Sequence, residues 1–375
     1  MQFEANPQNR RSFLQMCGAT VGAGFLGDKN RLMAAPAVGK DSIRSSRLVR
    51  FGPSDLYVTR YCQGTAFRSK EVSRSDNPRA RAILHECVEV GINFFDTAEA
   101  YGWGGSEEVL GRVVAEAKVR DDVVLCTKAA PSFPPKNDPN FNAFKFGEDK
   151  ITFSRKILFR KLEGSLKRLR TDYVDLYLLH APDEVTPLEE IVDVMDALVR
   201  SGKARYWGVS NHSADQVAKL HEICGAGSGT DRASIVGTED YYPITIGERF
   251  DPELFRTIRE AGLGLMAFSP QETGTLAPGR EKEVGKTRMP VVRALDTVAR
   301  EIGATRPQVC IAWSLANPAV TSVLGGAESP EHVVENFSGV RIQLPTEALA
   351  LLNEASAKYT ERRLLRIKDE EQKNG

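Results

Sequence analysis

Four residue types able to move a proton or steady a developing oxyanion recur at one kind of place in this chain: Asp96, Tyr101, Lys128 and His180 each follow a short apolar run. The runs are Ile92-Asn93-Phe94-Phe95, 123–127 and 173–179. They read as strands because β-branched and aromatic residues dominate them. If the strands are parallel and closed into a barrel, their C-terminal ends form one rim, where such a fold places its chemistry. An acid, a phenol, an amine and an imidazole at that rim suit proton transfer. Taken singly, an Asp after Phe-Phe is as ordinary as a helix cap, and a Lys after a strand as a solvated group. The joint spacing carries the reading.

The elements needed to position these side chains alternate along the chain, as a parallel sheet requires. A hairpin of 48–51 and 56–59 around Gly52-Pro53-Ser54 is expected to close the barrel bottom. Strands are predicted at 61–63, 92–95, 123–127, 173–179, 204–209, 234–237, 264–268 and 321–324. Helices are predicted at 79–90, 106–118, 154–169, 188–201, 214–224, 252–261, 307–316 and 330–338, with an inserted helix at 290–302 and a final one at 346–357. This predicts an α/β chain: a (β/α)8 TIM barrel with an N-terminal β-hairpin and extra C-terminal helices. The long Pro- and Asn-rich stretch 131–150 exceeds an ordinary connection and is expected to wall a pocket.

The run from Gly91 through Asp96, Tyr101 and Gly102, followed by Ser106-Glu107, Leu110-Gly111, Thr127-Lys128 and Asp172 to His180, resembles the aldo-keto reductase family. The resemblance extends from about Leu48 to Tyr359. It implies a nicotinamide-dependent oxidoreductase that interconverts a small-molecule carbonyl and its alcohol. Asp96, Tyr101, Lys128 and His180 would be the catalytic set, with Tyr101 as proton donor, Lys128 lowering its pKa, Asp96 pairing with Lys128, and His180 orienting the substrate oxygen.

The resemblance also implies the cofactor site, for NADP or NAD. Ser210-Asn211 would hold the nicotinamide carboxamide, although such a pair can equally cap the next helix. Phe268 would stack on the ring, with Ser269-Pro270 along the pyrophosphate. Gly326, Ala327, Glu328, His332 and Asn336 would hold the adenosine end, and Gly64 and Thr65 would also touch the cofactor. Three departures stand out. Thr238 replaces the usual amide side chain, Gln271 follows Ser-Pro, and Gly326 and His332 stand where relatives selective for the 2′-phosphate carry Lys and Arg. With Glu328 nearby, a free ribose hydroxyl is the easier fit. Trp103, Tyr241 and Tyr242 are expected to wall the substrate pocket. Some relatives serve as channel subunits, so a non-catalytic, cofactor-binding regulatory or scaffold protein is the alternative. A lyase using Lys128 as a Schiff-base amine would leave Ser210-Asn211 unexplained.

The chain has 375 residues, 41% hydrophobic and 27% charged, and without its first forty or so it keeps enough for a single large domain. Fifty basic residues balance fifty acidic ones, so no nucleic-acid partner is expected. The mature chain is expected to use no membrane and to be a monomer or weak oligomer. Five cysteines beyond Cys17 show neither metal spacing nor a disulfide framework.

The segment 1–37 resembles a twin-arginine export signal. Asn9-Arg10-Arg11-Ser12-Phe13-Leu14-Gln15 precedes a Gly-rich apolar stretch and Ala35-Pro36-Ala37. That implies the twin-arginine export machinery as a partner and a periplasmic or extracytoplasmic location; a simple extension would leave the chain cytoplasmic. A linker at 38–47, the barrel at 48–360 and a charged tail at 361–375 complete the expected layout. Gly22-Ala23-Gly24-Phe25-Leu26-Gly27 matches a dinucleotide-binding pattern literally, but no strand precedes it.

Overall fold

The computed structural model describes residues 48–67, 77–131, 153–183, 185–225 and 233–374. The expected export signal and linker, and most of the 131–150 stretch, lie outside the described residues. The hairpin strands β1 (Val49–Arg50) and β2 (Tyr57–Val58) pair antiparallel. Eight parallel strands then close a barrel: β3 (Tyr61–Gly64), β4 (Phe94–Asp96), β5 (Val124–Ala129), β6 (Val174–Leu179), β7 (Ala204–Ser210), β8 (Ile235–Tyr241), β9 (Gly264–Phe268) and β10 (Ser322–Gly325). They follow chain order around the barrel, with β10 completing the circle against β3.

Helices return the chain between strands: α1 (Pro78–Glu89), α2 (Gly105–Ala117), α3 (Arg155–Leu169), α4 (Leu188–Arg200), α5 (Ala214–Gly225), α6 (Pro252–Glu260), α7 (Glu281–Ile302), α8 (Arg306–Ala316), α9 (Pro330–Ser338) and α10 (Thr346–Asn374). Their starts follow from sequence. Asn77, Asp251, Thr305 and Ser329 each accept a backbone N–H of the first turn, and a proline sits at the beginning of each helix they cap.

Two helices outrun expectation. α7 begins nine residues before 290, crossing a break at Gly285 (φ 70°). α10 does not end near 357 but continues to Asn374. Polar residues in this stretch pair along the helix, Lys358 with Glu354 at 2.5 Å and Arg366 with Glu370 at 2.7 Å. Such pairs support a helix that has little apolar periodicity to announce it. Arg363 also ties the helix to Glu248 at 2.6 Å. Among the described residues, no helix is long and apolar enough to cross a membrane.

Two apolar layers result. Outward side chains of the strands pack under the helices, with Trp207, Tyr177, Leu265 and Val209 among them. Inside the barrel a smaller cluster joins Phe51, Leu56, Val58, Phe94, Leu176, Leu178, Val236 and Met266. Phe51, from the hairpin, is the bottom plug. A Cβ at Gly237 would stand 2.5 Å from its ring and one at Gly264 2.8 Å, so glycine at both positions admits the ring. With the bottom sealed, the chemistry-bearing side chains are left to the other end.

Candidate active site

Lys128 ends its strand inside the barrel, fully buried, and its surroundings are arranged around its charge. Its Nζ donates to both carboxylate oxygens of Asp96 at 2.6 Å and to the Thr97 carbonyl at 3.1 Å. It also pairs with Glu239 at 3.1 Å and donates to the Tyr101 hydroxyl at 3.3 Å. Burial opposes the ammonium charge, yet the Asp96 and Glu239 carboxylates hold Lys128 well above its ordinary value. Conversely, burial pushes Asp96 up while Lys128 draws it back. Glu239 is pushed up to about 8, first by burial and then by the facing Asp96 carboxylate.

Tyr101 reaches this cluster through a tight turn. Its backbone lies in a 3-10 segment, Tyr101–Gly104, in which Gly102, Trp103 and Gly104 all have positive φ. A non-glycine residue there is strained, so the surroundings must hold it. Part of that hold is a second buried ion pair: Glu99 accepts from Lys161 at 2.5 Å and from the Ala130 amide at 3.1 Å, tying the loop after β4 to the end of β5. Trp103 stands half-exposed at the rim.

The phenol does not behave as the sequence suggests. Burial raises its pKa, and although Lys128 lowers it, Asp96 and Glu239 raise it again. The pull of the Lys128 ammonium on the phenol is outweighed first by burial and then by the carboxyl groups that share the ammonium. His180 meets Tyr101 edge-to-face, with ring centroids 5.5 Å apart. Burial, then the Lys128 and Lys161 charges, hold the imidazole well below its usual value, and its Nδ1 is buried without a partner. A neutral imidazole keeps one donor and one acceptor for a substrate oxygen.

The expected cofactor residues fall mainly along the same rim. Ser210 and Asn211 end β7; the Asn211 amide donates to Ser210 Oγ at 2.9 Å and to the His180 carbonyl at 3.0 Å. Asn211 adopts φ 58°, a left-handed conformation that Asn tolerates. Phe268 ends β9 partly exposed, 5.6 Å from the Tyr241 ring. Ser269 follows at φ 60°, donating its amide to Leu324, and Pro270 is buried behind it. Ala327 is buried, Gly326 and His332 are exposed, and Asn336 donates to the Gly326 carbonyl at 2.9 Å. The unexpected Gln271 donates to Asn336 at 2.8 Å, joining the segment after β9 to the segment after β10. Gly64 packs tightly, a Cβ there meeting Leu324 at 3.2 Å, and Thr65 is buried with its hydroxyl oxygen unpartnered.

Two expectations fail. Tyr242 does not reach the pocket; it is buried in the outer core, stacked on Trp313 with centroids 5.1 Å apart, beside Phe255 and Phe250. The side-chain alternation of a strand sends it the opposite way from Tyr241. Thr238 is also misassigned. It pairs with Val209 and Leu265, both outward-facing, so its side chain points under the helices. Its neighbour Glu239 pairs with Ser210 and takes the inward place. A register shift at Trp207/Gly208 puts these two strands out of simple alternation, which reading the strands one at a time cannot reveal.

Sequence reasoning missed two residues. One is Glu239, which lies past the strand end expected at 237, between Thr238 and Asp240, whereas β8 runs on to Tyr241. The other is Arg79, whose guanidinium lies 3.3 Å from Glu328 and also donates to its backbone carbonyl.

The residues fit a nicotinamide dinucleotide. Gly326 has open space where a side chain would stand, ahead of the Ser329-capped start of α9, as a phosphate needs. Phe268 is partly exposed at the same rim, as a residue that stacks on a bound ring must be.

The fold is thus a closed parallel barrel that gathers a buried lysine, its carboxyl partners, a phenol and an imidazole at its C-terminal rim. Residues 62–357 match the Aldo/keto reductase family, and the chain belongs to that family. It is similar to "Uncharacterized oxidoreductase YrpG" of Bacillus subtilis (strain 168), 32% identical over 322 residues, covering 81% of this chain and 94% of that protein. It is also similar to the "Putative voltage-gated potassium channel subunit beta" of Schizosaccharomyces pombe (strain 972 / ATCC 24843), 31% identical, with 74% and 84% covered. A third relative is the "Probable voltage-gated potassium channel subunit beta" of Oryza sativa subsp. japonica, 32% identical, with 71% and 83% covered.

Removing one partner from a buried ion network leaves the other charges unpaired. Lys128→Met should therefore destabilise the fold by roughly 3–5 kcal/mol in urea denaturation. Adding Asp96→Asn to Lys128→Met should restore part of that loss, whereas simple additivity would contradict the coupling.

Proposed function

We propose that the protein is a nicotinamide-dependent oxidoreductase that interconverts a small carbonyl compound and its alcohol, with Tyr101 as the proton donor. The observation that carries this reading is the 3.3 Å contact between the Tyr101 hydroxyl and the Lys128 ammonium in a water-poor barrel mouth, with the His180 imidazole alongside. Ser210, Asn211 and Phe268 would hold the nicotinamide, and the stretch from Gly326 to Asn336 the adenosine end. When bound, a reduced dinucleotide supplies the hydride for the carbonyl carbon.

The chain's own residues manage the oxygen. As negative charge grows there, the neutral His180 donates a hydrogen bond and fixes the direction of approach. Tyr101 then gives up its proton. Its raised pKa does not forbid this, because the alkoxide forming on the substrate is a stronger base than a phenolate. The Lys128 ammonium stabilises the phenolate left behind, and Asp96 keeps that ammonium in place. In the alcohol-oxidising direction the same phenolate accepts the proton.

The relatives named as potassium channel beta subunits favour a second reading, in which the same fold binds a dinucleotide without turnover. Mixing protein preloaded with reduced dinucleotide and an aldehyde panel separates the two. Oxidation of the bound dinucleotide within one turnover supports the enzyme, and Tyr101→Phe should slow that step by at least ~10²-fold with dinucleotide affinity nearly unchanged. Tight binding with no oxidation by any aldehyde would favour the regulatory reading.

Cofactor choice turns on Arg79 and Glu328. Their pair is half-exposed, and such pairs contribute at most about 1 kcal/mol, so a 2′-phosphate would have little to overcome in recruiting Arg79. The Glu328 carboxylate opposes that phosphate. Glu328→Ser should shift the ratio of dissociation constants toward the phosphorylated dinucleotide by about tenfold, or 1.4 kcal/mol, in fluorescence quenching titrations. An unchanged ratio would remove Arg79 from the site.

A further inference from the structure

Glu239 is an unusual neighbour for a proton-donor pair. It comes from β8, across the barrel mouth from Asp96, and is almost wholly buried. One carboxyl oxygen faces Lys128 Nζ at 3.1 Å; the other accepts from the Ser210 hydroxyl at 3.4 Å. Ser210 in turn accepts from Asn211 at 2.9 Å. A single side chain thus joins the Lys128–Tyr101 pair to the two residues proposed to hold the carboxamide. Its hold on Ser210 also fixes the direction of that hydroxyl, leaving the serine oxygen to accept and not donate.

We propose that Glu239 is a positioning residue that carries a proton of its own, and that this proton decides how much of the Lys128 charge reaches Tyr101. The mechanism is charge sharing. With Glu239 neutral, Asp96 alone balances the ammonium, and the remaining pull acts on the phenol 3.3 Å away. With Glu239 ionised, one ammonium faces two carboxylates, and both raise the phenol's proton affinity. Proton donation from Tyr101 then weakens, and the buried cluster carries net negative charge beside the place where an oxyanion must form. No proton has to leave Glu239 during a turnover; its ionisation state sets the field in which Tyr101 works. The inference rests on the proposed reading of the site for its effect on turnover, but the state of the carboxyl itself can be read without any cofactor.

The groups facing Glu239 leave few other sources for such a titration. Asp96 on β4 and Lys128 on β5 form the cluster, with Tyr101 beyond them. Cys62 on β3 and Cys126 on β5 also feel Glu239, but burial pushes both thiols well above their ordinary value and keeps them neutral. Ser210 on β7 and Met266 on β9 are its strand-paired neighbours, and neither titrates in this range. Burial and the Asp96 charge place the Glu239 step near 8.

The experiment compares the wild type with Glu239→Gln, which keeps the shape and the Ser210 contact but not the charge. The infrared difference spectrum between them, without dinucleotide, should show the carbonyl band of a protonated carboxylic acid below the step and lose it above. Dissociation constants for reduced dinucleotide and single-turnover rates with an aldehyde, followed across the same range, should change at least threefold in the wild type and stay flat in Glu239→Gln. Absence of the acid band at every pH overturns the proposal, as do parallel pH profiles in the two proteins. If the band titrates but no dinucleotide binds, the proton on Glu239 stands and the nicotinamide reading fails. Should Glu239→Gln not fold, Ser210→Ala serves: removing a donor to the charged form must move the wild-type band's titration to higher pH, and an unmoved titration overturns the link.

Discussion

Everything at the rim is arranged around the cost of keeping one ammonium out of water. An ion of that size in a low-dielectric interior is penalised by several kcal/mol even after relaxation, and only close opposite charges and hydrogen bonds offset the penalty. Lys128 is therefore met by the Asp96 carboxylate, a backbone carbonyl from the turn that follows β4, and the facing carboxyl group of Glu239. Those requirements fix the relative positions of β4, β5 and β8 at their C-terminal ends. They also bring the Tyr101 hydroxyl into range, since the Thr97 carbonyl and Tyr101 belong to one short segment. Charge satisfaction and the geometry proposed for catalysis are the same constraint.

The rest of the fold supports that constraint from below and from the side. Phe51 fills the barrel bottom because Gly237 and Gly264 leave room for its ring, so the interior is dry and the Lys128 network stays strong. The chain after β9 is held rather than loose. Glu272 is gripped by Arg288 at 2.7 Å and by Thr245 at 2.5 Å, and Arg306 holds both Leu276 and Glu281. Ser269, Glu272 and Thr273 all keep positive φ within this short stretch, a strained course that the ion pairs maintain. The segment after β9 is thus anchored at several points, and its Gln271 side chain reaches the residues after β10.

Most of the architecture was legible because its signals are local. Strand runs, proline-started helices and capping residues can be read within a few positions, and the barrel strands and helices before α10 fall close to their expected places, apart from the early start of α7 and the extension of β8 from 237 to Tyr241. What escaped depended on relations between strands. Whether Thr238 or Glu239 faces inward is decided by the register of β7 against β8, which includes a shift no single strand announces. Tyr242 belongs to the outer core and not to the pocket because it follows the last residue of β8 and turns onto Trp313. The length of α10 was hidden because charged residues pairing i to i+4 look like a solvated tail. Arg79 lies 249 positions before Glu328 in the chain, so only the closed barrel brings them together. The upward shift of Tyr101 escapes sequence reading because it comes first from burial, and then from the Asp96 and Glu239 charges that the fold brings beside Lys128.

The central claim is that Asp96 serves the proposed reaction by holding the Lys128 ammonium against Tyr101, an effect that outweighs the rise its own charge gives the phenol's proton affinity. Asp96→Asn keeps the size and hydrogen-bonding shape of the side chain while removing its charge. Single-turnover oxidation of bound reduced dinucleotide by an aldehyde should slow in this variant by on the order of 10²-fold, with the dinucleotide dissociation constant within a factor of about two of wild type. A wild-type single-turnover rate in Asp96→Asn would contradict the account.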